Sequence, residues 1–431
     1  MAPVLIAILS LTVLGIPFVL AIDRDASPLR LLGLACLYGT GAMYFVLLAL
    51  SVLHVRWTLV SVTIAALVVA LPFIKSLSTQ HSALSTRFHV VDLFALVTPI
   101  GFGCYATIAP LWEWDFWAIW GLKARVFLER GGIDWHFLGS RWNTFAHPDY
   151  PLLVPFAYDF AALVSGGWSD RWLGILFIAW ALAFLFVARD LAARETTPLA
   201  AALVAFALSS IGVSRYVGLA EGALIAYLGA GVLFVRRAML FDDGAAWRHG
   251  AILLGLAACT KNEGLAMLAC TAVAIVVSDI KRWTRVVRLW PAVALALPWT
   301  IMRTLHDLPT EFVRGSIVSR LLARLPEGGS ILAMLDLSLY QPWLWAALLL
   351  GIVAAPFAAW KRERFILLAC FLQLAVYIVI YFVTPRDPAW HIATSWPRLT
   401  AQIAAPLAYV VMIALANTLR GADAEARSGQ P

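Results

Sequence analysis

The chain has 431 residues, of which 62% are apolar and 13% are charged, and its mean hydropathy is +0.84. Soluble domains carry about 25% charged residues, so this composition excludes a protein whose whole surface faces water. The net charge of +7 does not indicate nucleic-acid binding, because the sequence has no basic stripe interleaved with stacking aromatic residues. The five cysteines lie in apolar segments and follow neither a disulfide nor a zinc-ligand pattern. The sequence predicts an all-α polytopic membrane protein.

Apolar runs of spanning length follow one another along the chain, since about 20 apolar residues cross the hydrocarbon core of a bilayer. The run 249–279 is too long for one span, and its polar residues at 260–264 predict two short helices that meet in a turn. We therefore predict a bundle of about 13 transmembrane segments. The other segments lie near residues 3–22, 31–53, 57–75, 92–111, 171–188, 197–213, 217–235, 286–302, 341–360, 365–384 and 400–418.

The distribution of Lys and Arg predicts the orientation, because cytoplasmic loops are enriched in these residues. If 112–170 lies outside, the N-terminus is also outside, the C-terminus is cytoplasmic, and the whole net charge of +7 falls on the cytoplasmic side. We expect a multi-pass membrane protein, in contact with membrane lipids, whose functional face is the outer one. The basic isoelectric point then reflects topology and anionic lipids.

Three predicted outer loops hold most of the unusual polar residues: 112–170, 303–340 and 384–399. The first is rich in tryptophan, which favours the membrane–water interface, so its helices are predicted to lie along the membrane surface. The apolar run 152–164 is predicted to be interfacial or shallowly inserted, because a full span there would put Arg189 and Arg194 outside. Trp112, Trp114 and Trp117 belong either to an aromatic belt or to a sugar-stacking surface.

Fixed cations and carboxylates at one membrane face suit a particular kind of chemistry. Ammonium and guanidinium groups make charge-assisted hydrogen bonds to phosphate oxygens. A carboxylate among them can accept the proton of a hydroxyl nucleophile. Together with a lipid-facing location, these features favour group transfer from a lipid-phosphate donor.

Several local patterns, in this order and on this side of the membrane, resemble one family. They are WDFWA at 114–118, KAR at 123–125, GGIDW at 131–135, HPDYPLL at 147–153 followed by Arg171, YVGLAEG at 216–222, TKNEG at 260–264 and WHIATSWPRL at 390–399. The chain resembles the C-type glycosyltransferases (GT-C fold), which include lipid A aminoarabinose transferases and protein O-mannosyltransferases. Two positions depart from the family pattern: Phe116 follows the aspartate where a second acid is usual, and Glu221-Gly222 stands where Asp-Pro is frequent.

The resemblance covers about residues 92–400 and implies an organisation and an activity. Residues 92–419 would form a GT-C-like catalytic region, 1–91 would add three N-terminal transmembrane helices, and 420–431 would be a short cytoplasmic tail. The implied reaction transfers a sugar, with inversion, from a polyprenyl-phosphate donor to an envelope glycan, lipid or protein. No metal or other cofactor is expected.

The resemblance also implies roles for individual residues, each of which has a structural alternative. Asp115 would be the general base, or it caps a surface helix. Lys261, with Arg398 or Arg171, would bind the donor phosphate; alternatively, Lys261 pairs with Glu263, Arg398 anchors a span at the interface and Arg171 pairs with Asp170. The other candidate site residues, with local structural roles as the alternative, are Glu221, Arg215, His391, His147, Asp149 and Glu263, whereas Glu113 is expected to be a solvated interfacial residue.

Two other functions stay open. A flippase or transporter of lipid-linked sugars would carry paired repeats and polar groups near the membrane midplane, and neither is evident in the sequence. A non-catalytic scaffold of envelope glycan assembly would tolerate replacement of Asp115, whereas a transferase would not.

Overall fold

The structure is a computed structural model that describes residues 1–78, 88–211, 215–310, 316–337, 342–354 and 357–428. All regular secondary structure in these ranges is helical. The α-helices are α1 (Ala2–Ile22), α2 (Pro28–Val52), α3 (Leu59–Ala70), α4 (Val91–Ile108), α5 (Gly121–Arg130), α6 (Trp135–Gly139), α7 (Leu153–Ser165), α8 (Ile175–Ala193), α9 (Pro198–Ser210), α10 (Glu221–Phe241), α11 (Gly244–Ala258), α12 (Asn262–Ser278), α13 (Trp290–Leu305), α14 (Ile317–Arg324), α15 (Gly328–Leu337), α16 (Pro342–Ala354), α17 (Phe357–Val383) and α18 (Pro388–Ser428).

Within the described ranges, eight helical segments are long and apolar enough to cross a membrane. They are Ala2–Ile22, Pro28–Val52, Leu59–Leu77, Val91–Ile108, Ile175–Ala193, Glu221–Phe241, Trp360–Val383 and Pro388–Arg420. Shorter apolar helices of 10–17 residues accompany them, among them α7, α9 and α12. The prediction of an all-α polytopic membrane protein is therefore confirmed.

The helices α1 and α2 pack with their backbones almost in contact. A Cβ atom on Gly15 would lie 1.9 Å from the carbonyl oxygen of Ala35, and one on Gly39 would lie 1.6 Å from that of Leu11. Small residues allow such approach between apolar helices, where van der Waals contact is the main source of association. This pair in turn packs on α8 and on α7.

The helix α10 is largely enclosed by other helices, with contacts to α8, α11, α17 and α18. Its side chains from Glu221 to Arg236 are all buried. Within α10, the hydroxyl of Tyr227 donates to the carbonyl of Leu37 in α2 (2.8 Å), which satisfies a polar group deep in the protein. Because α10 is central, the residues at its two ends meet several other helix ends.

Helix α7 corresponds to the run that is predicted to be interfacial or shallowly inserted, and its depth in the membrane stays a prediction. Its residues from Leu153 to Ala162 are buried on every side, among α1, α2 and α5. The prediction rested on the short length of the apolar run and its flanking prolines. A short helix buried by neighbouring protein needs neither an interface nor the full thickness of a bilayer, so these two signals do not separate the possibilities.

The predicted outer loop 384–399 is mostly helical, because α18 already begins at Pro388. Asp387 supplies the start signal that the sequence analysis missed: its carboxylate accepts a hydrogen bond from the backbone N–H of Trp390 (2.8 Å), in the manner of a helix cap. Proline at the first helical position fits the same start. As a consequence His391, Ser395 and Arg398 lie on one face of a helix, at spacings of four and three residues.

The other two predicted outer loops also contain short helices. Residues 112–170 hold α5, α6 and α7, and several tryptophans there are exposed, including Trp114 and Trp142. Residues 303–340 hold α14 and α15, and their positions 311–315 and 338–340 lie outside the described residues.

Helix ends gather into two charged regions. The first lies at the end of the bundle away from most of the predicted site residues, and we call it the opposite end. There the end of α1 meets the starts of α2 and α11 and the end of α8, and the contacts are made by Asp23, Arg30, His249 and Asp190. The second lies where the loop 112–170 meets the start of α10 and the turn between α11 and α12. The second region contains most of the predicted site residues.

Candidate functional site

Five charged side chains from four separate segments meet at the second region. Asp115 comes from the loop before α5, Glu221 from the first turn of α10, Lys261 and Glu263 from the junction of α11 and α12, and Arg398 from α18. We call this set the Asp115 cluster. Residues almost 300 positions apart in the sequence thus contribute to one group, which requires the whole bundle to be folded.

Arg398 joins the loop to the helix ends. Its Nη1 donates to Oδ2 of Asp115 (2.5 Å) and lies 3.7 Å from Oε1 of Glu221. Its Nε donates to the carbonyl of Thr394, one turn earlier in α18, at 3.0 Å. This backbone contact fixes the guanidinium, so its position between the two carboxylates follows from the helix itself.

Lys261 lies between the carboxylates of Glu221 and Glu263. Its Nζ is 2.8 Å from Oε1 of Glu221 and 2.8 Å from Oε1 of Glu263. The predicted turn between two short helices is present, since α11 ends at Ala258 and α12 begins at Asn262. Only glycine fits at 264, because a Cβ atom there would lie 2.1 Å from the carbonyl oxygen of Ala257.

The cluster combines buried charges with an accessible side. Glu221 is only 1% exposed, and its Oε2 has no hydrogen-bond partner; the buried Oε2 of Glu263 is also without one. The side chains of Asp115 and Arg398 are 19% and 22% exposed. An unsatisfied buried carboxylate oxygen is costly, which is a feature of sites that bind a further group.

Asp115 does not act as a helix cap. It precedes a π-helical turn, Phe116–Trp120, and its side chain makes no capping hydrogen bond. Its carboxylate instead binds Arg398. The helix-cap alternative for Asp115 is therefore not what the structure has, and its carboxylate faces the charged cluster.

Glu113 and Arg215 add to the electrostatics of the cluster. Burial raises the pKa of Glu113, and so do the negative charges of Asp115 and Glu221, against the opposing effect of Arg398 and Arg215. Glu113 is half-buried, and its role as a solvated interfacial residue stays a prediction. Arg215 is exposed and lies near enough to influence Glu113.

His147 lies beside the cluster in a strained turn. Its φ of +47° is left-handed, and its ring stacks on Tyr150 at 4.6 Å. Lys123 fixes this turn by donating to the carbonyl of His147 (3.0 Å). Burial lowers the pKa of His147 to about 3, together with the charges of Lys123, Lys261, Arg386 and Arg398. His147 is therefore neutral near pH 7 and can bind a ligand only as an uncharged ring.

His391 is held by hydrogen bonds within the end of the bundle. Its Nδ1 is 2.9 Å from Oγ1 of Thr384, and its ring meets Tyr381 edge-on at 5.1 Å. Its backbone carbonyl accepts from Ser395 (2.6 Å), whose hydroxyl also lies 2.8 Å from that of Tyr381. These contacts give His391 a structural role, on the same helix as Arg398.

Asp149 and Arg171 make contacts elsewhere. Asp149 is buried, its carbonyl accepts from Trp299 in α13 (3.1 Å), and burial raises the pKa of its carboxyl group. Arg171 donates from Nε to the carbonyl of Thr107 at the end of α4 (2.7 Å) and lies over the ring of Trp172. The contacts of Arg171 do not place it with Lys261 and Arg398, so its predicted role at a donor phosphate gains no support, and those of Asp149 hold the turn in which it lies.

Other residues near the cluster were missed by the sequence analysis. Gln373, fully buried in α17, donates to the backbone carbonyl of Glu263 (3.2 Å). Arg386 is close enough to lower the pKa of His147. Gln373 has a sequence signal, because an amide inside an apolar span is expensive unless it has a partner. Arg386 has none beyond its place in the loop before α18.

In the described part of the chain, no three His, Cys, Asp or Glu side chains are arranged so that they could hold one metal ion. The expected independence of metal and cofactors stays a prediction. No match to this chain is found among protein family models, curated proteins or solved structures.

Proposed function

We propose that this protein is an integral-membrane glycosyltransferase of GT-C type. In this proposal it transfers one sugar from a polyprenyl-phosphate donor to an envelope glycan, lipid or protein at the outer leaflet of a bacterial inner membrane. About 13 segments cross the membrane, including the shorter apolar helices, with the N-terminus outside and the C-terminus in the cytoplasm. The Asp115 cluster then faces the periplasm.

One observation carries the proposal: two fixed cations and three carboxylates from four segments meet at the helix ends of one face. Lys261 and Arg398 suit the phosphate of a donor, because ammonium and guanidinium groups make charge-assisted bonds to its oxygens. The unbonded oxygens of Glu221 and Glu263 suit the hydroxyl groups of a sugar. A charge cluster at helix ends also favours an outer-leaflet reaction over transport, for which polar groups near the midplane are typical.

The proposed reaction is a single displacement. The acceptor hydroxyl oxygen attacks the anomeric carbon of the sugar, and Asp115 takes the hydroxyl proton. The bond from the anomeric carbon to the phosphate oxygen breaks, and the electron pair leaves with polyprenyl phosphate. Lys261 and Arg398 stabilise the charge that develops on this leaving group. Attack from the face opposite the leaving group inverts the anomeric configuration.

The pairing of Arg398 with Asp115 implies that the donor binds before the acceptor reacts. In the structure the carboxylate of Asp115 is engaged by the guanidinium of Arg398, at 2.5 Å. A donor phosphate that reaches Arg398 competes with Asp115 for the same guanidinium. Donor binding would therefore free the base, and the acceptor would react only when the donor is in place.

The decisive experiment is mass spectrometry of lipid-linked sugars and surface glycans from cells that lack this gene. The cells are complemented with the wild type, with Asp115→Asn or with Asp134→Asn at matched protein levels. Asp134→Asn is the control, since it makes the same change in the same loop at a helix cap, where asparagine serves as well as aspartate. A positioned base contributes about 10²–10⁴ in rate, so Asp115→Asn is expected to fail.

The transferase proposal stands if one sugar is lost from a glycan, its lipid-phosphate donor builds up on the outer leaflet, and only Asp115→Asn fails to restore the glycan. Build-up of the donor on the inner leaflet, with full rescue by Asp115→Asn, would indicate transport instead. Full rescue with unchanged lipid-linked sugars would indicate a scaffold.

A further inference from the structure

A polar cavity lies at the opposite end of the bundle, and the length of α10 separates it from the Asp115 cluster. It has a volume of about 200 Å³ and is bounded by the end of α10, the end of α12 and the start of α17. Four cations line it: Arg236, Lys361, Arg362 and Arg364. Apolar side chains complete the wall, including Met239 and Phe365. The cavity wall thus combines basic and apolar side chains.

The acidic groups in the cavity wall are already bound to protein cations. Glu363 accepts two hydrogen bonds from Arg236, both at 2.5 Å. Asp279 pairs with Arg285 at 3.5 Å. The wall therefore has no free carboxylate to repel an anion, and its remaining charge is positive.

Two of the lining cations have no acidic partner. Lys361 and Arg364 are exposed, and neither forms an ion pair with any residue that the structure describes. They are three positions apart in α17, so they lie on the same face of the helix. Arg362, between them, is bound to Glu195 at 3.5 Å and lies over the ring of Phe241. Two adjacent free cations at a cavity mouth form a site for a doubly coordinated anion.

We propose that this cavity binds the phosphate group of an anionic membrane lipid. Lys361 and Arg364 would hold the phosphate oxygens, and Met239 and Phe365 would contact the glycerol and the first methylene groups. Basic cavities between transmembrane helices bind lipid headgroups in this way. Inorganic phosphate shares the chemistry of the headgroup but gains nothing from the apolar wall, which favours the lipid as the source.

The test is native mass spectrometry of the purified full-length protein with added phosphatidylglycerol, and separately with phosphatidylcholine. The test variant is Lys361→Ser/Arg364→Ser. The control variant, Lys281→Ser/Arg282→Ser, removes the same charge from exposed residues that follow α12, outside the cavity. All four positions are exposed, so both variants are expected to fold, and thermal unfolding without added lipid checks this. A third arm adds inorganic phosphate as a competitor.

We expect the test variant to bind phosphatidylglycerol about thirtyfold more weakly, because each cation near an anionic lipid contributes roughly a factor of five. The control variant is expected to keep nearly full affinity, and phosphatidylcholine to bind weakly to all forms. Equal losses in the two variants would overturn the proposal, since they would indicate only diffuse surface charge. Displacement of the lipid by millimolar inorganic phosphate would assign the cavity to the free anion.

Discussion

At each end of α10 an arginine lies beside two carboxylates, but the two arrangements differ in geometry. At the opposite end, Arg236 lies between Glu195 and Glu363, and all three side chains are 2–3% exposed. Its four hydrogen bonds, of 2.5–3.0 Å, reach both oxygens of both carboxylates. In the Asp115 cluster Arg398 bonds to one carboxylate and lies 3.7 Å from another. We call the first network the Arg236 network.

The two networks differ in whether all their hydrogen-bonding groups have partners within the protein. The Arg236 network is closed: every donor and acceptor faces a partner within the protein, so it fixes α10, α17 and the segment after α8 to one another. The Asp115 cluster is open, because carboxylate oxygens of Glu221 and Glu263 are without partners and Arg398 is partly exposed. An open network can exchange a protein partner for a ligand, whereas a closed network cannot do so without losing stability.

The largest expected effect is on stability, from Arg236→Met. This substitution leaves two buried carboxylates without their cation, and breaking such a pair typically costs about 3–5 kcal/mol. The free energy of unfolding in mixed micelles with a denaturing detergent measures the loss. Because the variant removes a structural network, any loss of activity should track the loss of folded protein.

Arg362→Gln is the matched comparison for Arg236→Met. Arg362 touches the same Glu195, but its side chain is 44% exposed. Exposed pairs are worth about 0–1 kcal/mol, so the stability should hardly change. If both arginine variants lose similar stability, burial does not determine the strength of this network, and the contrast between the two ends fails.

A smaller stability loss is expected from Glu221→Gln in the open cluster. Lys261 keeps Glu263 and Arg398 keeps Asp115, so no cation is left without a carboxylate. The loss should be about 1.5–3 kcal/mol, the range for one hydrogen bond to a charged group. The same unfolding experiment measures it. A loss as large as that of Arg236→Met would show that the cluster is as closed as the Arg236 network.

Much of the fold was accessible from the sequence, because hydrophobic run length is a direct physical signal in a bilayer. The divided run 249–279 was predicted correctly as two helices, since Lys261 and Glu263 cannot continue a lipid-facing span. The burial of α7 and the early start of α18 were not predicted. Both depend on tertiary contacts or on a cap such as that of Asp387, which run length does not report.

The site was accessible only in part. The predicted membrane topology placed four residues at one face: Asp115, Glu221, Lys261 and Arg398. The structure brings these four into contact. Sidedness could not separate these residues from Arg171 or Asp149, which share the face but contact other helix ends. The pair of Lys261 with Glu263 was one of the alternatives that the sequence offered, whereas the pair of Arg398 with Asp115 was not predicted, because it depends on which helices are neighbours.

Lys123 is a buried cation that differs from those of both networks. It is fully buried near the Asp115 cluster, yet its hydrogen bond goes to a carbonyl and not to a carboxylate. Burial lowers the pKa of Lys123 to about 7, against the opposing charge of Asp149. Above pH 7 the folded protein has released this proton, while the unfolded chain keeps it up to its ordinary pKa near 10.5. The unfolded state then binds more protons, so stability should rise with pH, by about 1 kcal/mol between pH 7 and pH 8.

Lys123→Met should abolish this rise, since methionine has no proton to release and fills a similar volume. Arg125→Gln is the control on the same helix: its side chain is 57% exposed, and the rise should persist in that variant. Unfolding free energies at pH 7.0, 7.5 and 8.0 distinguish the two. A rise that survives in Lys123→Met would mean that another group titrates. Lys123 would then be a charged lysine that the carbonyl of His147 and the ring of Trp120, 4.9 Å from its Nζ, are sufficient to stabilise.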